Sequence, residues 1–209
     1  MVNGKELIGL KRGYWALIIF NAIYIIGASI YYISKQNYEF LLYIAVLVIL
    51  FVLVAGTYKK TRFDYLILWM LSVWGLFHML GGSIMVGGEV LYRYHVLNIF
   101  QGVDAEFFIL KFDQVLHFYI YFVMSFVMFH LINLAGKGKM NSKAISFFAI
   151  LASSGVGALN EIVEFGAVVF LGQTGVGGYY NTALDLVFNF VGAFVGGILA
   201  VFRYGTKLK

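Results

Sequence analysis

Long apolar stretches alternate with short polar segments along the whole chain. A membrane-spanning helix needs about 20 apolar residues, because about 30 Å of hydrocarbon is crossed at about 1.5 Å per residue. Six stretches approach or exceed this length, and they cover approximately residues 14–33, 40–57, 65–81, 113–134, 144–171 and 182–202. The pattern therefore predicts an all-α, polytopic integral membrane protein with six transmembrane helices in one domain, residues 1–209.

The lysine and arginine residues indicate how the six helices are oriented. These residues are enriched in the cytoplasmic loops of membrane proteins. Of the 15 cations, all but Lys35, Arg93 and Lys111 lie before the first span or after the second, fourth and sixth, on one side of a six-span arrangement. We therefore predict that both termini are cytoplasmic. The net charge of +5 then reflects topology and contact with anionic membrane lipids, and does not require an acidic substrate.

Composition narrows the classes of function. The chain is 62% hydrophobic and only 12% charged, which is too apolar for a soluble domain and excludes a nucleic-acid-binding arm. It has no cysteine, which excludes thiol catalysis, disulfides, iron–sulfur clusters and cysteine-ligated zinc. These features predict a multi-pass protein of the cell membrane whose partners include lipids and exclude nucleic acid.

Two segments on the outer side are predicted not to span the membrane. Residues 82–112 begin with a glycine-rich run, and residues 172–181 contain four glycines, at positions 172, 175, 177 and 178. Glycine allows a backbone to bend sharply or to approach a neighbour closely. The segments are therefore either flexible connections or a lid over the outer ends of the helices.

Eight of the polar residues in the predicted spans are the candidates for a functional site. Charged groups inside a membrane are costly, so each such residue is a candidate for function. The eight are His78, Asp113, His117, Asn160, Glu161, Glu164, Asp185 and Asn189. Counting the helical rise places all of them in the outer half of the membrane.

Spacing groups these residues on single helix faces. Asp113 and His117 are four residues apart, as are Asp185 and Asn189, and residues at this spacing share one side of a helix. Segments 113–118 and 185–190 share Asp, Val and Phe, which indicates either a parallel duplication of two helix pairs or a coincidence. The two aspartates are also suited to capping helix starts.

The order of these motifs resembles the VanZ-like superfamily, and more closely the uncharacterised six-span proteins of the YjdF type. The resemblance covers about residues 63–202 and rests on Phe77-His78-x-x-Gly81-Gly82, Asp113-x-x-x-His117, Asn160-Glu161-x-x-Glu164 and Asp185-x-x-x-Asn189. Residues 172–181 lack the acidic and tryptophan residues associated with the YjdF type. The resemblance implies a role in the cell envelope and implies no reaction.

Two functional hypotheses follow from the polar cluster. The first is an enzyme acting on a lipid or lipid-linked envelope substrate, with His117, Glu161 and Glu164 as catalytic residues. The other five residues, which are His78, Asp113, Asn160, Asp185 and Asn189, would then bind substrate. The second is a proton- or cation-coupled transporter or a substrate-binding membrane protein.

The cluster also raises the question of a bound ion. Four carboxylates in a region of low dielectric constant cannot stay ionised and unpaired, so they must take up protons, bind a cation or bind a cationic or hydroxyl-rich ligand. Carboxylates and imidazole suit divalent ions such as Mg²⁺, Mn²⁺ or Zn²⁺. The chain has no His-Glu-x-x-His metal motif. A divalent metal is therefore one open alternative for a cofactor, and haem, through His117 and His130, is a weaker one.

Overall fold

A computed structural model describes residues 4–101, 108–172 and 177–205 of the chain. It contains six long helices: α1 (Gly4–Ser34), α2 (Tyr38–Thr61), α3 (Tyr65–Ser83), α4 (Phe112–Ala135), α5 (Ser142–Leu171) and α6 (Tyr179–Tyr204). All six are long and apolar enough to cross a membrane, which confirms the predicted six-span, all-α fold. An even number of spans brings both termini to the same side, and their cytoplasmic location stays a prediction.

The helix boundaries follow from capping residues in the short connections. The side chains of Asn37, Asp64 and Asn141 accept hydrogen bonds from the backbone N–H groups of Phe40, Leu66 and Lys143 at 3.1, 3.0 and 2.8 Å. Such bonds satisfy amides that a helix start leaves free. The predicted spans are shorter than the helices, and at α6 the predicted start at residue 182 was three residues late.

Helix α4 is the centre of the bundle and packs against α3, α5 and α6. Its closest neighbour is α6, because a Cβ at Gly192 or Gly196 would overlap the carbonyl oxygen of Phe118 or Phe122. Two glycines four residues apart thus let the two backbones meet, as this pattern does in many membrane helices. This contact aligns the polar faces of α4 and α6, and so it positions the site described below.

We call the side on which residues 84–111 connect α3 to α4 the outer end, and the opposite side the inner end. The inner half of the bundle is an apolar core that includes Ile67, Phe129 and Ile145, each of them fully buried. The serine hydroxyls deeper in the bundle donate to helix carbonyls, from Ser125 to Ala193 and from Ser146 to Gly197, both at 2.8 Å. The inner half therefore has few polar groups that are free to bind a solute.

At the inner end, Asp64 joins the start of α3 to the end of α6. Its carboxylate accepts hydrogen bonds from Leu66 N at 3.0 Å, from Arg203 Nη2 at 2.9 Å and from Tyr204 Oη at 3.1 Å. Partial burial raises the pKa of the Asp64 carboxyl, but these hydrogen bonds outweigh that effect and hold the pKa below its usual range. The carboxylate is therefore charged and well paired at neutral pH.

The segment between α3 and α4 is ordered over its described residues. Strand β1 (Met85–Val86) pairs antiparallel with β2 (Glu89–Val90), a 3₁₀ turn follows at Leu91–Arg93, and β3 (His95–Gln101) pairs antiparallel with β4 (Phe108–Lys111). The short strands were not predicted, but the prediction that the segment does not span the membrane is confirmed. Residues 102–107 and 173–176 of the outer segments, including Gly175, lie outside the described residues.

Candidate functional site

A cavity of about 390 Å³ lies between the outer ends of the helices. Residues of α2 to α6 and of the segment 85–93 line it, so this part of the outer segment covers the helix ends as a lid does. Five of the eight predicted residues are on its wall: His78, Asp113, His117, Asn160 and Glu164. The other three, Glu161, Asp185 and Asn189, are buried behind this wall.

His117 is the centre of the polar cluster. Its Nε2 lies 3.5 Å from Asp113 Oδ1 and 3.9 Å from Glu164 Oε1, and its Nδ1 lies 3.6 Å from Glu161 Oε1. Three carboxylates from two helices thus surround one imidazole that is itself 7% exposed. The structure therefore brings together the three residues predicted to be catalytic.

Asn189 fixes the orientation of the imidazole. Its Oδ1 is 2.8 Å from His117 Nδ1, and its Nδ2 is 3.5 Å from Glu161 Oε1. The amide nitrogen faces the carboxylate, so the amide oxygen faces the ring and accepts the Nδ1 proton. Asn189 is therefore the nearest partner of Nδ1, closer than Glu161 Oε1 at 3.6 Å. The lone pair of a neutral His117 is then on Nε2, which faces Asp113 and Glu164.

Asn181 links the two aspartates, and it was missed in the sequence. Its Nδ2 donates to Asp185 Oδ2 at 2.6 Å and approaches Asp113 Oδ2 at 3.4 Å, while its Oδ1 accepts from Lys111 Nζ at 3.1 Å. The signal that could have found it is the spacing of four residues from Asn181 to Asp185 to Asn189. Because residue 182 was predicted to begin the span, Asn181 was assigned to a loop.

Asp185 does not cap a helix, contrary to one of the two expected roles. Helix α6 begins at Tyr179, with Gly178 at its N-cap, and this places Asp185 in the second turn. Its side chain is completely buried, with a relative exposure of 0%. Asp113, in contrast, is in the first turn of α4, where a negative charge interacts favourably with the helix dipole.

Asn160 and Glu164 form the remaining pair on α5. Asn160 Nδ2 donates to Glu164 Oε1 at 2.8 Å, over one turn of the helix. The amide thereby holds the carboxylate next to the His117 ring on the wall of the cavity. Asn160 is therefore joined to the cluster through Glu164.

His78 lies on an aromatic part of the wall. Its ring is stacked on Trp74 with 5.0 Å between centroids, and Tyr43 lies at 5.6 Å. Tyr92, on the 3₁₀ turn, hydrogen-bonds to His78 Nδ1 and donates to its carbonyl oxygen at 3.0 Å. The Tyr92 ring occupies the space that a side chain at Gly81 would need. Burial, together with the nearby Asp113, raises the pKa of Tyr92 well above its ordinary value, so the hydroxyl stays neutral.

Two buried oxygens of the cluster lack hydrogen-bond partners. Among the described residues, Glu161 Oε2 and Asp185 Oδ1 are buried without one, and so is Asn133 Oδ1 far from the site. Two groups of three residues could hold a metal ion, because each brings ligand atoms within 4.8 Å of one another: Asp113, His117 and Asp185, and His117, Glu161 and Glu164. The arrangement can therefore accept protons, bind a cation or accept hydrogen bonds from a hydroxyl-rich ligand.

Comparison with protein families identifies the kind of protein but not its activity. A family model described as "Predicted membrane protein (DUF2238)" matches residues 14–206. The chain belongs to this family. No curated protein and no solved structure matches the chain. Membership in DUF2238 agrees with the six candidate spans, and the chain is an integral membrane protein.

His130 lies apart from the cavity, toward the inner end of α4. Its Nε2 is 2.7 Å from the carbonyl oxygen of Thr61, the last residue of α2. The ring therefore joins α4 to the connection between α2 and α3. This hydrogen bond gives His130 a structural role that requires no haem group. His130 is therefore a suitable control for substitutions of His117.

Proposed function

We propose that this DUF2238 protein is a membrane enzyme that acts on the polar group of a lipid or lipid-linked cell-envelope substrate. The observation that carries the proposal is the position of His117 Nε2, which faces Asp113 and Glu164 at a cavity wall at the outer end of the bundle. A volume of about 390 Å³ lies in the range of small-molecule sites. A cavity at a helix end lies at the depth of lipid headgroups, which supports a lipid or lipid-linked substrate.

The charges of the cavity favour a hydroxyl-bearing substrate group over a phosphate. Asp113 and Glu164 line the cavity, with Glu161 and Asp185 directly behind them. Carboxylates and amides hydrogen-bond hydroxyl groups, whereas an anion would be repelled. Arg93 is the cation on the cavity wall among the described residues. The aromatic rings of Tyr43, Trp74 and Tyr92 offer apolar faces on which a sugar ring or a planar group can pack.

His117 and Glu164 are the proposed acid–base residues. A hydroxyl or water placed beside Nε2 could transfer its proton to the imidazole, whose Nδ1 is held by Asn189. Glu161 supports this geometry through its contact with the Asn189 amide at 3.5 Å. The remaining polar residues of the cluster, Asp113, Asn160, Asp185 and also Asn181, would position the substrate group, with His78 on the aromatic wall.

The resemblance of the motifs to VanZ-like proteins supports a location in the cell envelope, and hence in the cell membrane. It concerns the same residues that surround the cavity. The alternative of a transporter is less well supported, because the serine hydroxyls below the site bond to helix carbonyls and the inner half is an apolar core. A solute passing through the bundle would meet few polar partners there.

The proposal is tested by comparing envelope lipids in a deletion strain of the native host. The strain is complemented with the wild-type chain, with His117→Gln or with His130→Gln as the matched control. We expect the deletion and His117→Gln strains to accumulate the same lipid species, because loss of an acid–base group slows catalysis by about 10²- to 10⁴-fold. We expect the wild type and His130→Gln to restore the normal composition.

The proposal fails if the deletion leaves every envelope lipid unchanged, or if His117→Gln restores the wild-type composition at equal protein levels. Reconstitution separates an enzyme from a transporter. Purified protein in liposomes should convert the accumulated lipid without moving a headgroup compound across the bilayer. Uptake without conversion would favour transport instead.

A further inference from the structure

The neutral His117 ring carries its proton on Nδ1. Nδ1 donates to Asn189 Oδ1 at 2.8 Å, so the neutral ring presents its lone pair at Nε2. Histidine ligands of metals donate their other ring N–H to a carbonyl or carboxylate, which fixes the tautomer. The contact between His117 and Asn189 is of this kind. Nε2 is therefore prepared to accept a proton or a metal ion.

Two carboxylate oxygens lie close to His117 Nε2. A lone pair that faces two carboxylate oxygens at 3.5 and 3.9 Å is repelled by both, and no hydrogen bond joins them. The same spacing suits a bound ion. With metal–ligand bonds of about 2.1 Å, the ligand atoms of a tetrahedral zinc site lie about 3.4 Å apart.

Asp185 is a buried carboxyl group with one unsatisfied oxygen. Its side chain is completely buried, and its Oδ1 has no hydrogen-bond partner, while Oδ2 accepts from Asn181 at 2.6 Å. A buried carboxylate oxygen without a partner is costly unless a proton or a cation satisfies it. Asp113, His117 and Asp185 bring ligand atoms within 4.8 Å of one another. The buried Asp185 carboxyl, one oxygen of which has no hydrogen-bond partner, therefore belongs to the same group as His117.

The charges around His117 also favour a bound cation. Among the described residues, the ion pairs of Asp113, Glu161 and Glu164 are made with His117 alone, and Asp185 makes none. Lys111 donates to Asn181 through its ammonium group, and its charge also acts on Asp185. Four carboxylates in a membrane thus face one imidazole, which leaves an excess of negative charge that a divalent cation would offset.

We infer that Asp113, His117 and Asp185 form a binding site for a divalent transition-metal ion, with Zn²⁺ as the best fit. His117 contributes Nε2, Asp113 contributes a carboxylate oxygen and Asp185 contributes Oδ1. Three protein ligands and an open fourth position are the arrangement of catalytic zinc sites. Asp113 and His117 line the cavity, so the open position faces it.

The second group of three residues is the weaker choice. In the group of His117, Glu161 and Glu164, the ring nitrogen nearer to Glu161 is Nδ1, which Asn189 already occupies. The metal site extends the proposed function, and a catalytic role for the ion rests on that proposal. With the ion bound, Nε2 is a ligand, and the proton-accepting role passes to Glu164 at the cavity wall.

The test measures metal binding by the full-length protein in detergent, without any substrate. The purified protein is stripped with a chelator, loaded with Zn²⁺ or Mn²⁺, desalted and analysed by mass spectrometry of the elements, with affinity from competition with a chromophoric chelator. We expect one ion per chain. Asp185→Asn and His117→Gln should each weaken Zn²⁺ binding by at least about 10-fold. Mutation of residues that only hydrogen-bond to a metal ligand already lowers metal affinity by that factor.

Glu39→Gln is the matched control, since Glu39 is a cavity carboxylate outside both groups of three. It should bind as the wild type does. A Zn²⁺-dependent rise in the melting temperature, present in the wild type and in Glu39→Gln but lost in Asp185→Asn, separates loss of the site from misfolding. Less than 0.1 ion per chain after loading, or equal binding by Asp185→Asn and Glu39→Gln, would overturn the inference.

The two proposals can fail separately. A protein that binds no metal while His117→Gln still changes the envelope lipids would remove the metal site and leave the enzyme. A protein that binds Zn²⁺ at Asp185 while the deletion strain has normal lipids would support the metal site and remove the proposed enzyme activity.

Discussion

The carboxylates at the two ends of the bundle differ in how fully they are hydrogen-bonded. At the inner end, Asp64 receives hydrogen bonds from a backbone amide, a guanidinium and a phenol, all at 2.9 to 3.1 Å. At the outer end, four carboxylates share one imidazole, and two of their oxygens have no hydrogen-bond partner. A fully paired carboxylate stabilises a fold, whereas a cluster without enough partners is maintained at a cost. The proposed function gives a reason for the presence of such a cluster at the outer end.

The largest expected effect comes from separating α6 from α4, on which both ends depend. Gly192→Leu would drive a side chain into the Phe118 carbonyl and move Asn189 away from His117. We expect a destabilisation of about 3 kcal/mol or more, with loss of the outer site. Gly155→Leu is the control, since that glycine of α5 has nothing within 4 Å of an added Cβ. Thermal unfolding in detergent measures both, and equal melting temperatures would contradict the close contact.

A second prediction is that the same substitution has opposite effects at the two ends. Asp64→Asn should lower the free energy of unfolding by about 1 to 3 kcal/mol, because hydrogen bonds to a charged group are lost. Asp185→Asn in metal-free protein should leave stability unchanged or raise it, because a neutral amide replaces a buried carboxyl group that is costly without a proton or a cation. Chemical or thermal unfolding of both variants checks this. Destabilisation by Asp185→Asn as large as that by Asp64→Asn would show that the outer cluster is structural.

A third prediction uses pH to isolate the Asp64 contribution. Hydrogen bonds hold the pKa of Asp64 below its usual range in the folded protein, so its stabilising effect is complete above the unfolded pKa of about 3.9. That effect is lost as the pH falls through the lowered folded pKa. The stability difference between wild type and Asp64→Asn should therefore be constant from pH 7 to about pH 5 and shrink below about pH 4. A difference that shrinks near neutral pH would contradict this explanation.

The smallest expected effect concerns the lid over the cavity. Tyr92→Phe keeps the ring against Gly81 but removes the hydroxyl that bonds to His78. We expect a loss of about 1 kcal/mol in stability, the value of an ordinary hydrogen bond. Tyr94→Phe, on the exposed side of the same turn, is the control and should change stability by less than about 0.5 kcal/mol. Equal melting temperatures for the two variants would mean that the Tyr92 hydroxyl does not hold the lid.

Much of the site could be predicted because the membrane makes polar residues rare. All eight predicted residues lie around or directly behind one cavity, since a charged side chain in a span is retained only where partners meet it. The individual roles could not be predicted in the same way. Spacing along a helix brings Asp113 to His117, but only the packing of α6 on α4 selects Asn189, rather than a glutamate, as the partner of Nδ1. Asn181 was missed because the start of α6 depends on loop geometry.

The sequence by itself determined the six helices, the shared depth of the polar residues and the predicted side of the termini. These features depend on length, hydrophobicity and charge, which act locally and against the lipid. The tertiary structure decided which polar atoms meet, which oxygens lack hydrogen-bond partners and where residues 85–93 close over the helix ends. Those features depend on contacts between residues far apart in the chain, and in this bundle they depend on two glycines that let α6 touch α4.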